Sequence, residues 1–159
     1  MHIYVTSGTG TGPTSLAAFD AAALAASGIN HNMICLSSFI PPGSVVEKTQ
    51  YFVPPEAWGQ RIYVVIARED TQDPGQEAWA GLGWTQDPVG RGMFVEHSGR
   101  SRDMVHNAIH TTLDFMIANR NMKFGPINHK LTGIKCKSQP VCALVMAIYA
   151  IERWIGFKF

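Results

Sequence analysis

A serine pair, Ser37-Ser38, stands between an apolar run and two prolines: Met33-Ile34-Cys35-Leu36 precede it and Phe39-Ile40-Pro41-Pro42 follow. A short apolar run bounded by turn residues reads as a buried strand. Burial of two hydroxyls costs free energy unless each finds a partner. The residue before a proline avoids the helical region, so the chain just beyond the pair is extended or turning. The pattern therefore places a serine hydroxyl at a constrained strand end, beside the carbonyl of the preceding peptide bond. In such a juxtaposition a chain can react with itself.

The surrounding sequence supplies a scaffold of mixed type. His2 to Thr6 reads as a first strand, followed by a glycine-rich loop, Ser7-Gly8-Thr9-Gly10-Thr11-Gly12-Pro13. Thr14 or Ser15 can cap an alanine-rich helix that ends near Ser27 with Gly28 as its stop. A second strand runs from about Asn32 to the serines, and Pro41 to Gly59 reads as an irregular loop long enough to be functional. The β-branched segment Arg61 to Ala67 predicts a central strand. Trp79 to Trp84 reads as a short strand or turn, and Met93 to Glu96 as a strand leading into His97-Ser98-Gly99. A helix follows from about Ser101, with Val105, Ile109, Leu113 and Ile117 recurring on one face. Strands at about Ile127–Lys135 and Val141–Ile151 close the chain. Strands and helices cluster rather than alternate, which fits an α+β sandwich better than a parallel sheet.

With 159 residues, one domain is expected, large enough to bury a core. Charged residues make up only 16% of the chain, against roughly 25% in a typical soluble domain, which suggests surface covered by other subunits. A formal charge of +1 offers no basic stripe for nucleic acid. No apolar run reaches the roughly 20 residues that span a bilayer. The N-terminal residues lack the features of a signal peptide. Three cysteines, Cys35, Cys136 and Cys142, read as free buried thiols in a reducing, cytoplasmic compartment.

Several motifs have a structural reading beside a chemical one. The glycine loop suggests an anion cradle, but Pro13 stands where a dinucleotide fingerprint needs its third glycine. Close backbone packing is the plainer account. His106 and His110 share a helix face, as zinc ligands often do. Asn107 occupies the place of a metalloprotease glutamate, and His97 or His129 is only a conceivable third ligand. Solvent-facing histidines are expected there, and no metal. The tryptophans and prolines between Tyr51 and Trp84 suggest packing at an oligomer interface. Glu96 ends an apolar strand, and a carboxyl held against an apolar wall keeps its proton to higher pH, as a general acid requires. Asp20 interrupts a run of small and apolar residues, either exposed on its helix or aimed at a cationic ligand.

Taken together, these segments resemble the pyruvoyl-dependent arginine decarboxylases. The resemblance rests on Ser15-Leu16-Ala17-Ala18-Phe19-Asp20, on Asn32 upstream of Leu36-Ser37-Ser38-Phe39-Ile40-Pro41-Pro42, on Glu96-His97-Ser98-Gly99 ahead of a long helix, and on the small residues around Cys142-Ala143. It covers nearly the whole chain.

The resemblance implies a four-layer αββα sandwich and a single domain, 1–159, that cleaves itself into an α chain, 1–37, and a β chain, 38–159. Ser38 attacks the carbonyl of Ser37, with the Asn32 amide stabilising the oxyanion, and Ser38 becomes a covalent pyruvoyl group. L-arginine condenses with that group as a Schiff base and loses CO2 to give agmatine. Glu96 protonates the resulting carbon, Asp20 pairs with the guanidinium, and the freed Ser37 carboxylate shapes the substrate pocket. Sites are expected between protomers of a trimer, or of a hexamer built from two, with no nucleic-acid or membrane partner. The role would be polyamine synthesis or acid resistance. The same chemistry on another amino acid and a non-catalytic trimeric scaffold are the alternatives. Members of the family carry an aromatic residue after the glutamate. His97 at that place is expected to bear on substrate or pH optimum.

Overall fold

The computed structural model describes residues 1–154; the last five positions of the expected 38–159 chain lie outside the described residues. Among the described residues the architecture is mixed α+β, mostly two sheets with two α-helices. The first sheet has strand order β2 (Asn32–Cys35), β5 (Arg61–Thr71), β9 (Val141–Glu152), β1 (His2–Thr11), β4 (Val45–Lys48). The second has the order β3 (Phe39–Ile40), β7 (Gly92–Gly99), β6 (Glu77–Gln86), β8 (Asn128–Lys135). The helices are α1 (Ser15–Ser27) and α2 (Arg102–Ala118).

Strand β1 continues through the glycines that the sequence presented as a loop. The cause is packing. Gly8 and Gly10 pair with Leu144 and Cys142 of β9, while α1 lies directly on their other side. A Cβ on Gly8 would stand 2.3 Å from the Ala22 carbonyl oxygen, and one on Gly10 would stand 2.2 Å from that of Ala18. Only a glycine strand beneath an alanine helix face allows backbones to approach so closely. The close-packing account of this segment therefore holds, and the anion-cradle account does not.

Helix α1 begins where the Thr14 hydroxyl accepts the Ala17 N–H at 3.1 Å, a cap worth about 1 kcal/mol. It ends at Gly28, whose φ of 65° is one that glycine adopts without a side-chain penalty. Helix α2 starts from Ser101, whose side chain accepts from the Met104 N–H, and it buries Val105, Ile109 and Leu113, while Ile117, the fourth residue its periodicity marked, is half-buried. The expected loop over Pro41–Gly59 contains β4, paired in parallel with β1, and a short 3-10 turn at Pro55–Ala57. The Trp79–Trp84 segment belongs to the ten-residue strand β6.

Three apolar clusters hold these elements. The central one is shared by both sheets and includes Ile3, Val5, Val65, Leu82, Trp84, Phe94, Val145 and Ala147. The second joins α1 to the five-stranded sheet through Ala18, Ala22, Ile62, Leu144 and Met146. The third joins α2 to the four-stranded sheet through Met93, Val95, Ile109 and Leu113. Strand β9 contributes alternate residues to the first and second clusters, so all its positions from Val141 to Ile148 are buried. That explains an apolar run without alternation.

Strand β2 corrects an expectation. Among the described residues it is the edge of its sheet, paired only with β5, and it is largely exposed in a single chain. Cys35 is exposed with it, whereas Cys136 and Cys142 are buried free thiols.

Candidate active site

The serine pair occupies the crossing from one sheet to the other. Strand β2 ends the five-stranded sheet and β3 ends the four-stranded one, so the chain between them bridges two sheet edges. The last rung on the first side is the Leu36 N–H to the Val64 carbonyl, at 2.9 Å. The first on the second side is the Phe94 N–H to the Ser38 carbonyl, at 2.7 Å. Ser37 is exposed and Ser38 half-buried. Among the described residues Ser38 is the one non-glycine with a positive φ, 69°. A left-handed residue with a side chain costs roughly 1–2 kcal/mol, and strain of this kind tends to gather at functional positions. Here it is imposed by a chain that must change sheets and meet two prolines within a few residues.

Glu96 faces this crossing. Along β7, Phe94 packs into the cluster between the sheets while Met93 and Val95 pack against α2. Alternation therefore directs Glu96 to the inter-sheet side with Phe94. Its carboxylate accepts a hydrogen bond from the Ser38 hydroxyl. In a single chain Glu96 is exposed, so the apolar wall expected around it is not supplied by its own protomer.

Tyr149 completes the arrangement and was missed by sequence reasoning. It sits on β9, its hydroxyl donates to the Phe39 carbonyl at 3.0 Å, and its ring meets Phe94 edge-on at 6.2 Å. The contact ties the first sheet to the backbone one residue past Ser38. Burial, with the nearby Glu96 charge, pushes its phenol well above the ordinary tyrosine range. Tyr149 therefore stays a neutral hydrogen-bond donor through any physiological pH. A hydroxyl-bearing ring within the otherwise apolar run Val141–Ile151 is the one signal that marks it.

The remaining candidates are placed elsewhere in the chain. Asn32 opens β2, roughly 10 Å of extended chain before Cys35, and its side-chain amide donates to the Gly59 carbonyl at 2.8 Å. Within one protomer the structure does not bring it to the serines, because a strand separates them. Asp20 is exposed on α1, the helix that covers the five-stranded sheet. His97 points away from Glu96, since adjacent strand residues face opposite sides. Its Nε2 lies 2.8 Å from the Thr112 hydroxyl of α2. His97 therefore lies outside the immediate contacts of Ser38 and Glu96, on the α2 side of β7. His106 and His110 do not simply face solvent; they are half-buried and meet His129.

Fold and site thus define an α+β protein with a serine–carboxylate pair at an inter-sheet crossing. The family model for pyruvoyl-dependent arginine decarboxylase matches residues 2–152. Proteins named pyruvoyl-dependent arginine decarboxylase from two strains of Halobacterium salinarum are each 38% identical to this chain over 95 residues, which is 60% of the chain and 59% of each relative. Pyruvoyl-dependent arginine decarboxylase 2 of Archaeoglobus fulgidus is 29% identical over 100 residues, 62% of this chain and 64% of that protein. The matched region thus spans about three-fifths of the length of these curated relatives. The chain belongs to the pyruvoyl-dependent arginine decarboxylase family. Among the described residues, no helix is long and apolar enough to cross a membrane.

Proposed function

We propose that this chain is a self-cleaving proenzyme that decarboxylates L-arginine to agmatine. The observation that carries the reading is the hydrogen bond from the Ser38 hydroxyl to Glu96. The Glu96 carboxyl group thereby stands beside the residue whose Cα would become the ketone carbon.

In the processing reaction the Ser38 oxygen attacks the Ser37 carbonyl carbon, and the amide becomes an ester. Loss of the Ser38 Cα proton expels the Ser37 carboxylate and leaves dehydroalanine. Water then releases ammonia and leaves the pyruvoyl group at the head of the 38–159 chain. The left-handed backbone at Ser38 favours the first step, since its strain is released when the peptide bond opens. The residues present fit the group: its precursor serine is half-buried, and an acid stands within hydrogen-bond reach.

During turnover the pyruvoyl group supplies an electron sink for the pair left behind when CO2 departs. Glu96 delivers a proton to the substrate carbon. Tyr149 holds the Phe39 carbonyl and ties the middle strand of the five-stranded sheet to the edge strand β3 beside the reacting centre. Asp20 binds the guanidinium through charge-assisted hydrogen bonds.

Asp20 and Asn32 join the serines only if neighbouring copies meet, so the reading includes a trimer, or a hexamer of two trimers, with sites between protomers. Exposed apolar side chains support it: Leu16 is 72% exposed, Phe39 60% and Trp58 69%. So does the open edge at β2. A second protomer would also cover Glu96 and give it the apolar surroundings an acid needs. The three packed clusters support the four-layer αββα sandwich of the family, and the free thiols suit a reducing cytoplasm.

Denaturing electrophoresis with mass spectrometry tests the proposal. Mature protein is expected as a fragment ending at Ser37 and a larger one whose N-terminus is blocked at position 38, with CO2 released from arginine in preference to other amino acids. A single uncut band in the Ser38→Ala variant is the matching control. Uncut parent protein would leave a scaffold of the same fold, and preference for another amino acid would replace arginine as substrate.

A further inference from the structure

His106 and His110 stand one helical turn apart on α2, and His129 meets them from the edge strand β8. The ring centroids are 4.6 Å apart for His106 and His110, 4.8 Å for His106 and His129, and 5.8 Å for His110 and His129. One ring nitrogen from each lies within 4.8 Å of the other two. All three residues are half-buried. The His129 Nδ1 is buried without a hydrogen-bond partner among the described residues. A buried ring nitrogen with nothing to bond is costly, and three converging imidazoles with one left unsatisfied call for an occupant.

We propose that His106, His110 and His129 form a zinc site that fastens α2 to the edge of the four-stranded sheet. The donor set selects the ion. Three imidazoles suit zinc and its neighbours in the transition series, whereas calcium and magnesium need the carboxylate and carbonyl oxygens that this cluster lacks. Tetrahedral bonds of about 2.0–2.1 Å put ligand nitrogens about 3.4 Å apart. Half-buried rings reach that spacing by side-chain rotation, because the i, i+4 placement on α2 already sets two of them on one face. His106 Nδ1 lies 3.4 Å from Asn107 Oδ1, which leaves Nε2 for the ion and restrains the ring.

The site is separate from the serine–carboxylate pair. Helix α2 packs on the side of β7 that holds Met93 and Val95, and Glu96 faces the other way. With Asn107 where a zinc protease carries its glutamate, the three ligands serve attachment rather than hydrolysis. The link has mechanical use, since among the described residues β8 pairs only with β6 in its sheet and α2 otherwise meets it through apolar contacts such as Leu131.

The test is titration of the mature, metal-stripped protein with Zn2+ against a chromophoric chelator, followed by Co2+ substitution. One zinc per chain is expected, and visible cobalt bands of a four-coordinate ion. His129→Ala and His110→Gln should each weaken zinc binding by more than the roughly 10–100-fold that attends loss of an outer partner. His2→Ala, on β1 and paired with Glu47, should leave it unchanged. Melting in chelator checks that the variants fold, with values matching the parent expected. Parent protein that takes up no stoichiometric zinc overturns the proposal, as does affinity that survives His129→Ala or falls equally in His2→Ala. Cutting at Ser38 is read on the same samples and is expected in all of them, so the processing reaction stands or falls by itself.

Discussion

Ser38 holds a φ of 69°, and two variants that both lack its hydroxyl turn this angle into a measurable difference. Ser38→Ala and Ser38→Gly should both remain uncut. Alanine keeps the Cβ that a left-handed backbone crowds, at a cost of roughly 1–2 kcal/mol. Glycine escapes that cost, but its freer unfolded chain gives back about 0.4–1 kcal/mol. The glycine variant should therefore be the more stable by about 0.5–1 kcal/mol. For a chain of this size that corresponds to about 1–4 °C in Tm. Urea unfolding at equal protein concentration, with the slope unchanged, is the assay. A control runs at the neighbouring position, where φ is not positive. In the Ser38→Ala background, Ser37→Gly should be less stable than Ser37→Ala by about 0.4–1 kcal/mol. Equal stability of the two Ser38 variants, or a glycine variant weaker than alanine, refutes the claim that strain is held at the Ser37–Ser38 junction.

Other outcomes follow from the same geometry. Glu96→Gln keeps an oxygen able to accept the Ser38 hydroxyl, so cutting should continue, while kcat for decarboxylation falls by about 10²–10⁴; parental turnover would remove Glu96 from proton delivery. Asp20→Ala should raise the KM for arginine about tenfold or more, the scale of a charge-assisted hydrogen bond, with kcat changed far less. An unchanged KM would remove the guanidinium contact. His97 is held below the ordinary imidazole value by burial, opposed in part by the Glu96 charge. The unfolded chain then takes up its proton first, and stability should decline as pH falls through about 6.5 toward the lower folded value. Urea midpoints at pH 7.5 and 5.5 should differ by less in His97→Gln than in the parent, and an undiminished difference would show that His97 is not responsible.

Elements whose signals are local were legible in the sequence. The cap at Thr14, the stop at Gly28 and the four-residue recurrence of Val105, Ile109 and Leu113 each depend on neighbours within a turn or two, and both helices fall where those signals put them. The glycines of β1 misled because their chemistry suits two structures. Whether Gly8 and Gly10 form a loop or a strand depends on an alanine face that begins several residues later and packs back on them. Strand β2 misled in a similar way. Its apolar residues look buried, yet it lies on a sheet edge, and edge position is set by pairing across the whole chain. Within the site, the serine pair announced itself through the clash between apolar context and hydroxyl chemistry. Its hydrogen bond to Glu96 joins residues 58 positions apart, a distance that no local pattern encodes. The same is true of Tyr149 and Phe39, separated by 110 positions.

The order of strands in the larger sheet decides what would follow if the backbone were severed at Ser37-Ser38, as proposed. Everything upstream of the cut, β1, α1 and β2, is woven into that sheet: β1 lies between β9 and β4, and β2 borders β5. Releasing the short piece would mean unzipping β1 from both neighbours and lifting α1 off β9. The two proposed products would therefore stay interlocked as one body, and a peptide bond could be given up to chemistry without loosening the frame.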